Sequence, residues 1–272
     1  MTLRVPSAII SLVARQHGVI SRAQAIGSGM PGYLVDSQLR SGRWRPLGRG
    51  VYAAFSGPVP RESLLWAAVL RAGPDAVLSH QSAAELYGIA GPARLIHVTI
   101  PVGRQVRGSS GLVVHRSGRL GGARNPALLP PRTRIEDTVL DLADSAATSD
   151  DAFGWLCRAV GQGLTTSSLL RAALQRRPKV RWRAGLQVAL ADIGSGARSV
   201  LELRYVRDVE RAHGLPAARR QALTVTGSLP CYLDTSMRKR ISRWSLTARR
   251  PIRRKTAGLI YTGTIATPAQ AC

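Results

Sequence analysis

The sequence is short of acidic residues. Its 272 positions hold 15 Asp and Glu against 39 Lys and Arg, which gives a formal charge of +24. Cationic side chains that neutralise phosphates release condensed counterions, so this imbalance predicts a polyanionic partner.

Long apolar runs are also missing. No stretch approaches the ~18 apolar residues that a membrane span requires, and the basic residues do not line one face of an apolar helix. These absences disfavour a lipid surface and favour nucleic acid as the partner. The N-terminal apolar stretch is broken by Ser11, Arg15 and Gln16 without a cleavage-like site, so we expect a cytoplasmic protein.

Cysteine is scarce and scattered. Cys157, Cys231 and Cys272 form no CxxC pair, which argues against a zinc knuckle or a disulfide framework and for free thiols. The hydrophobic fraction of 44% is enough for more than one core, so two or three small domains are expected.

The first 56 residues have the pattern of three helices followed by a hairpin. Ser7 is the predicted N-cap of the first helix, and Ser21 and Gln24 have the capping-box spacing that begins a second. Residues 33–40 form the third helix, and residues 43–53 alternate basic and apolar side chains around glycines, as in a two-stranded hairpin. This order predicts a winged helix-turn-helix domain.

In such a domain the third helix enters a major groove and the hairpin lies on the flanking backbone. The predicted DNA contacts lie on the second helix, the third helix and the hairpin: Arg22, Gln24, Tyr33, Gln38, Arg40, Arg43, Arg45 and Arg49. The alternative is a three-helix domain that binds protein, with the arginines as a solvated face.

The run from Gly18 to Tyr52, with its G-V-I-S-R-A-Q and R-G-V-Y, resembles the winged-helix head of AbiEi-type antitoxins from type IV toxin-antitoxin systems. The run L-S-H-Q-S-A-A-E-L-Y-G at 78–88 resembles the start of the segment that follows this head. The resemblance covers roughly residues 1 to 145. It implies a transcriptional regulator or antitoxin whose partners are double-stranded operator DNA and a cognate toxin.

Three histidines lie in the segment after the head. His80 is at a helix start, while His97 and His115 fall in two predicted strands, at 95–100 and 112–115. Such histidines usually complete hydrogen bonds, and no carboxylate sits at ligand spacing nearby, so no metal or acid-base role is expected.

Two further helices are predicted after the head. Residues 61–72 have the apolar spacing of an amphipathic helix, which Gly73-Pro74 breaks. Thr133 and Glu136 have capping-box spacing at the start of another helix.

From Ser199 the chain resembles a second family, the nucleases similar to the very-short-patch-repair endonuclease, which share the PD-(D/E)XK fold. The matching residues are Glu202 in S-V-L-E-L-R-Y-V-R-D and Asp234 in C-Y-L-D. In that family two such acids join a later E-x-D or E-x-K pair to hold a divalent metal, which activates water. Glu202 is also explained as the capping-box partner of Ser199, and Asp234 as a turn acid.

The chain departs from that family after Asp234. No Asp or Glu follows, while nine Lys and Arg crowd residues 238–255. Hard divalent ions need several oxygen ligands, so we expect no hydrolysis and no cofactor. Mg²⁺ would be a cofactor only if the chain were a nuclease. A suitable choice of codons for this segment, read in an adjacent frame, encodes the missing V-E-L-D-G. Met237 and Trp244 have only one codon each, and both codons are compatible with that frame. These observations suggest a frameshift near Thr235.

These patterns together predict a multidomain α+β protein. The expected parts are a winged helix-turn-helix at 1–56, an α+β domain at 57–148, and a helical connector at 149–198. An incomplete restriction-endonuclease-like domain at 199–234 and a disordered basic tail at 235–272 would follow. Three functions stay open: a non-enzymatic DNA-binding regulator or antitoxin, a metal-dependent endonuclease, and an unstable remnant.

Overall fold

In a computed structural model, the described residues are 5–215 and the strand backbones at 219–226, 229–236 and 243–244. They form a mixed α/β protein with three small sheets. The chain divides into two compact units, one of Met1–Ala147 with Ala173–Arg181 and one of Thr148–Ala172 with Trp182–Cys272. The five-part division expected from the sequence stays a prediction.

The first unit begins with the segment 5–56, called the head below. Its elements are α1 (Ser7–Arg15), β1 (Val19–Ser21), α2 (Arg22–Gly27), α3 (Gly32–Arg40), β2 (Arg45–Gly48) and β3 (Val51–Ala53). The central strand β3 pairs antiparallel with both β1 and β2. The three helices and the hairpin are therefore present in the order that the sequence predicts.

Two predicted helix starts in the head have different outcomes. The capping box at α2 is confirmed: Ser21 Oγ accepts from the Gln24 backbone N–H at 3.1 Å, and Gln24 Oε1 accepts from the Ser21 N–H at 3.0 Å. Ser7 as an N-cap is wrong, because Pro6 occupies the cap and Ser7 is the first helical residue. The ring of Pro6 already fixes a φ of −55°, so the chain turns into the helix without a side-chain cap.

Helix α4 (Arg61–Ala72), predicted with these bounds, contributes to two cores of the first unit. Trp66 and Ala67 pack with Val19 and Val51 of the head. The opposite side of the helix, including Leu65, packs on a second sheet. The head is therefore held by α4, and removing α4 would expose apolar surface on β1 and β3.

The second sheet follows α4. The elements are β4 (Val77–Leu78), α5 (His80–Leu86), β5 (Ile96–Pro101), β6 (Leu112–Ser117), α6 (Leu120–Ala123) and α7 (Ile135–Ser145). Its strand order is β4-β5-β6, with β4 antiparallel and β6 parallel to β5. The predicted capping box at Thr133 is wrong: Arg134 occupies the cap, and the Thr133 hydroxyl instead pairs with that of Thr138 at 2.6 Å.

The second unit is helical before it forms a sheet. Its elements are α8 (Ser149–Gly161), the first part of α9 (Ser167–Gln175), α10 (Arg183–Gly194), α11 (Val200–Tyr205), a π-helical turn (Val206–Arg211), β7 (Arg219–Thr226), β8 (Leu229–Ser236) and β9 (Arg243–Trp244). The strands are antiparallel in the order β7-β8-β9.

The segment 235–272 was expected to be disordered. At Arg243–Trp244 it instead forms β9, which pairs with Thr235 and Ser236 at the end of β8, so these residues are extended. The other positions of that segment lie outside the described residues. None of the helices in the described part of the chain is long and apolar enough to cross a membrane.

Candidate nucleic-acid interface

Helix α3 has one buried face and one accessible face. Leu34 and Val35 are buried in the head, whereas Tyr33 is 58% exposed and Arg40 is also exposed. Tyr33 and Arg40 are seven residues apart, so they lie on the same side of the helix. Gln38 is buried instead, because five residues of helix separate it from Tyr33 by nearly half a turn of the axis. The structure therefore brings Tyr33 and Arg40 together and places Gln38 in the core.

An ion pair joins the start of α2 to the accessible face of α3. Arg22 Nη1 donates to Asp36 Oδ1 at 2.7 Å, and Arg22 Nη2 donates to Asp36 Oδ2 at 3.3 Å. This contact lowers the pKa of Asp36 and raises that of Arg22. Asp36 could not be predicted as the partner of Arg22, because the two residues are 14 positions apart and only the packing of α2 on α3 brings them together.

Gln24 has a structural position. Besides capping α2, its amide forms a reciprocal pair with Gln16: Gln24 Nε2 donates to Gln16 Oε1 at 2.8 Å, and Gln16 Nε2 donates to Gln24 Oε1 at 3.1 Å. Gln16 is itself buried and donates to the Val19 carbonyl at 2.9 Å. Gln24 therefore fixes where α2 begins, and with it the position of Arg22.

The hairpin carries exposed arginines. Arg43, Arg45 and Arg49 are all exposed, and Arg45 donates to the Gly57 carbonyl. The turn needs Gly50, whose φ of +69° lies in the left-handed region that favours glycine. The Gly50 carbonyl accepts from the Arg22 backbone N–H at 2.8 Å, so the hairpin is tied to the start of α2.

The charges of the head are therefore almost all of one sign. Residues 5–56 contain six arginines and one acidic residue, Asp36, and that acid is paired with Arg22. The surface formed by α3 and the hairpin presents Arg40, Arg43 and Arg45 with Arg49 at the turn. A surface of this kind attracts phosphates and carries no unpaired carboxylate to repel them.

The two predicted nuclease acids are placed differently. Glu202 closes the start of its own helix: Ser199 Oγ donates to Glu202 Oε1 at 2.8 Å, and the Arg198 backbone N–H donates to Glu202 Oε2 at 3.0 Å. Both carboxylate oxygens thus have local partners at the start of α11, one of them the hydroxyl of Ser199. The backbone of Asp234 is part of β8, while its side chain lies outside the described residues.

The three histidines for which no metal or acid-base role was expected lie side by side. One ring nitrogen from each of His80, His97 and His115 falls within 4.8 Å of the others. The sequence gives no signal of this cluster, because it depends on the register of two strands and on the packing of α5.

Among the comparisons with known proteins, one family match falls within the head. Residues 7–54 match the family described as "Transcriptional regulator, AbiEi antitoxin". The crystal structure of the RV2827C protein from Mycobacterium tuberculosis is similar with a TM-score of 0.44 and 19% identity, over 69% of this chain and 78% of that chain. No curated protein matches the chain significantly. The match at 7–54 supports the N-terminal part of the expected resemblance.

Proposed function

We propose that this chain is a DNA-binding transcriptional regulator or antitoxin of the AbiEi type, and that the head is a winged helix-turn-helix that binds duplex DNA. The single observation that carries the proposal is the charge of the α3 and hairpin surface. Its arginines are exposed, while the one acidic residue of the head is neutralised by Arg22. The match of residues 7–54 to a regulator family supports the same role.

The connectivity of the head fits this proposal. In a winged helix the third helix enters the major groove and the hairpin contacts the flanking backbone. Tyr33 and Arg40 lie on the accessible face of α3. Tyr33 would reach base edges there, and Arg40, Arg43, Arg45 and Arg49 would contact phosphates. Arg22 and Gln24 position α2 and α3 rather than reading DNA.

The proposed protein acts without hydrolysing DNA. Glu202 uses both carboxylate oxygens to close the start of α11, which leaves it poorly placed to hold an ion. Among the described residues the group that could hold a metal consists of His80, His97 and His115, which is not the carboxylate set of the nuclease family. An antitoxin role would add a cognate toxin as a second partner, with the gene's own operator as the DNA.

A binding experiment with the full chain tests the proposal. The full chain is needed because α4 completes the packing of the head. We expect the protein to retain a duplex from upstream of its own gene in the presence of a shuffled competitor. Tyr33→Ala should reduce discrimination between the two duplexes, while Arg49→Ala should weaken binding to both about equally.

Two results would count against the proposal. Failure to bind either duplex in dilute buffer would exclude DNA binding and favour a protein partner. Mg²⁺-dependent nicking of plasmid DNA that disappears in Glu202→Ala would show that the chain is an endonuclease.

A further inference from the structure

The histidine cluster is assembled by three elements of the first unit. His80 begins α5, His97 lies on β5 and His115 lies on β6. In the parallel pairing of β5 with β6, His115 lies opposite Thr99, two residues after His97. Side chains two residues apart on a strand share a face, so both strand histidines project from the same side of the sheet, where His80 meets them.

The rings are in close contact. His97 Nδ1 and His115 Nε2 are 3.0 Å apart, and the rings of His80 and His115 stack with centroids 3.8 Å apart and planes 14° apart. The three rings thus bring three nitrogen atoms into one small volume.

The three imidazoles are partly buried beside one another. Burial, together with the neighbouring histidines and Arg177, lowers the pKa of His80 to about 3. Burial and then His97 lower the pKa of His115 to about 4, and burial lowers the pKa of His97.

The backbone at His80 is held in a conformation that is rare for a residue with a side chain. Its φ of +48° lies in the left-handed region, and such positions cluster at ligand sites. Hydrogen bonds support it: Thr99 Oγ1 donates to Ser79 Oγ at 2.7 Å, and Ser79 Oγ lies 3.0 Å from His80 Nδ1. In the tautomer in which Nδ1–H donates to Ser79 Oγ, the Nε2 lone pair of His80 is available to a ligand.

We propose that His80, His97 and His115 together bind one Zn²⁺ ion. Zinc-nitrogen bonds of about 2.05 Å at tetrahedral angles place ligand nitrogens about 3.4 Å apart. The pair at 3.0 Å has to open slightly, and His80 has to turn its ring toward the other two. Rotation about the last side-chain torsion of histidine is soft, so the strands and α5 can stay in place.

Beside the histidines there is space for a fourth zinc ligand such as water. A cavity of about 170 Å³ borders His80 and His115, and its lining includes Thr99, Asp141 and Arg177. Water needs roughly 10–15 Å³ of such volume, so a metal-bound water fits. Arg177 is neutralised by salt bridges to Asp137 and Asp141, which reduces its repulsion of a cation.

Metal titration of the full chain tests this proposal. After removal of metal with chelator and blocking of accessible thiols, Zn²⁺ is titrated calorimetrically, and Co²⁺ is titrated by absorption. We expect one ion per chain and, with Co²⁺, the visible bands of a four-coordinate nitrogen and oxygen site. His115→Gln should weaken binding more than about 100-fold, and Ser79→Ala, which removes a supporting hydrogen bond, by roughly 10-fold.

His213→Gln is the matched control, because His213 is an exposed histidine outside the cluster and its removal should leave the affinity unchanged. Circular dichroism in chelator checks that each variant folds, and the Zn²⁺-dependent rise in the wild-type melting temperature gives a second readout should His115→Gln misfold. Equal binding by wild type and His115→Gln, or no rise in melting temperature on adding Zn²⁺, would overturn the proposal and leave a hydrogen-bonded histidine stack.

Discussion

Removing the exposed arginines of α3 and the hairpin should change how DNA binding responds to salt. The perturbation is the fourfold variant Arg40→Gln, Arg43→Gln, Arg45→Gln and Arg49→Gln. All four side chains are exposed, so glutamine at these positions should change the free energy of unfolding by no more than about 0.5 kcal/mol each.

The magnitude follows from counterion release. With one phosphate neutralised by each arginine, the four account for about 3.6 of the slope of log K against log salt. Between about 50 mM and 200 mM salt, that slope corresponds to a fall in affinity of about 150-fold. The variant should lose this part of the salt dependence.

The assay is fluorescence anisotropy of a labelled duplex at several salt concentrations. The control variant removes the same charge from exposed arginines outside the head: Arg94, Arg107, Arg171 and Arg176. It should keep the wild-type slope. Equal losses in both variants would refute the reasoning, because they would mean that overall charge rather than the head binds DNA.

Other outcomes follow from particular contacts. Ser21→Ala removes the capping box of α2 and should cost about 1 kcal/mol in urea unfolding; an unchanged midpoint would contradict the capping role. Asp36→Asn removes the one acid of the head and frees the Arg22 guanidinium to neutralise a phosphate. We therefore expect tighter DNA binding and a slope of log K against log salt that is steeper by about 0.9. Weaker binding would show that DNA binding needs the ion pair between Arg22 and Asp36. Arg177→Met leaves two carboxylates without their salt bridges and should destabilise the protein by about 3–5 kcal/mol, whereas the exposed neighbour Arg176→Met should not. Sequencing the gene around codon 235 should reveal the V-E-L-D-G codons in an adjacent frame, and their absence there would end the frameshift hypothesis.

The local elements of the head could be predicted because they depend on short-range patterns. Helix α4 has its predicted bounds, Arg61–Ala72, because its apolar positions repeat at helical spacing and Gly73-Pro74 ends it. The Ser21 capping box is equally local, since its two members are three residues apart. The predicted N-caps were wrong at two helices, because Pro6 and Arg134 occupy the cap positions there.

The candidate contacts were predictable as residue types but not as a surface. Gln24 and Gln38 have polar side chains of the kind that contact DNA bases. In the folded head, however, Gln24 is hydrogen-bonded to Ser21 and Gln16, and Gln38 is buried. Nothing in their neighbours distinguishes them from Tyr33 and Arg40, because exposure depends on which side of a helix meets the core.

The sequence by itself determined the excess of positive charge, the order of helices and hairpin in the head, and the lack of acids after Asp234. These follow from composition and from contacts a few residues long. Only the tertiary structure decided that Arg22 pairs with Asp36 and that His80, His97 and His115 meet. Both depend on strand register and helix packing, which join residues distant in the chain and leave no periodic trace in the sequence.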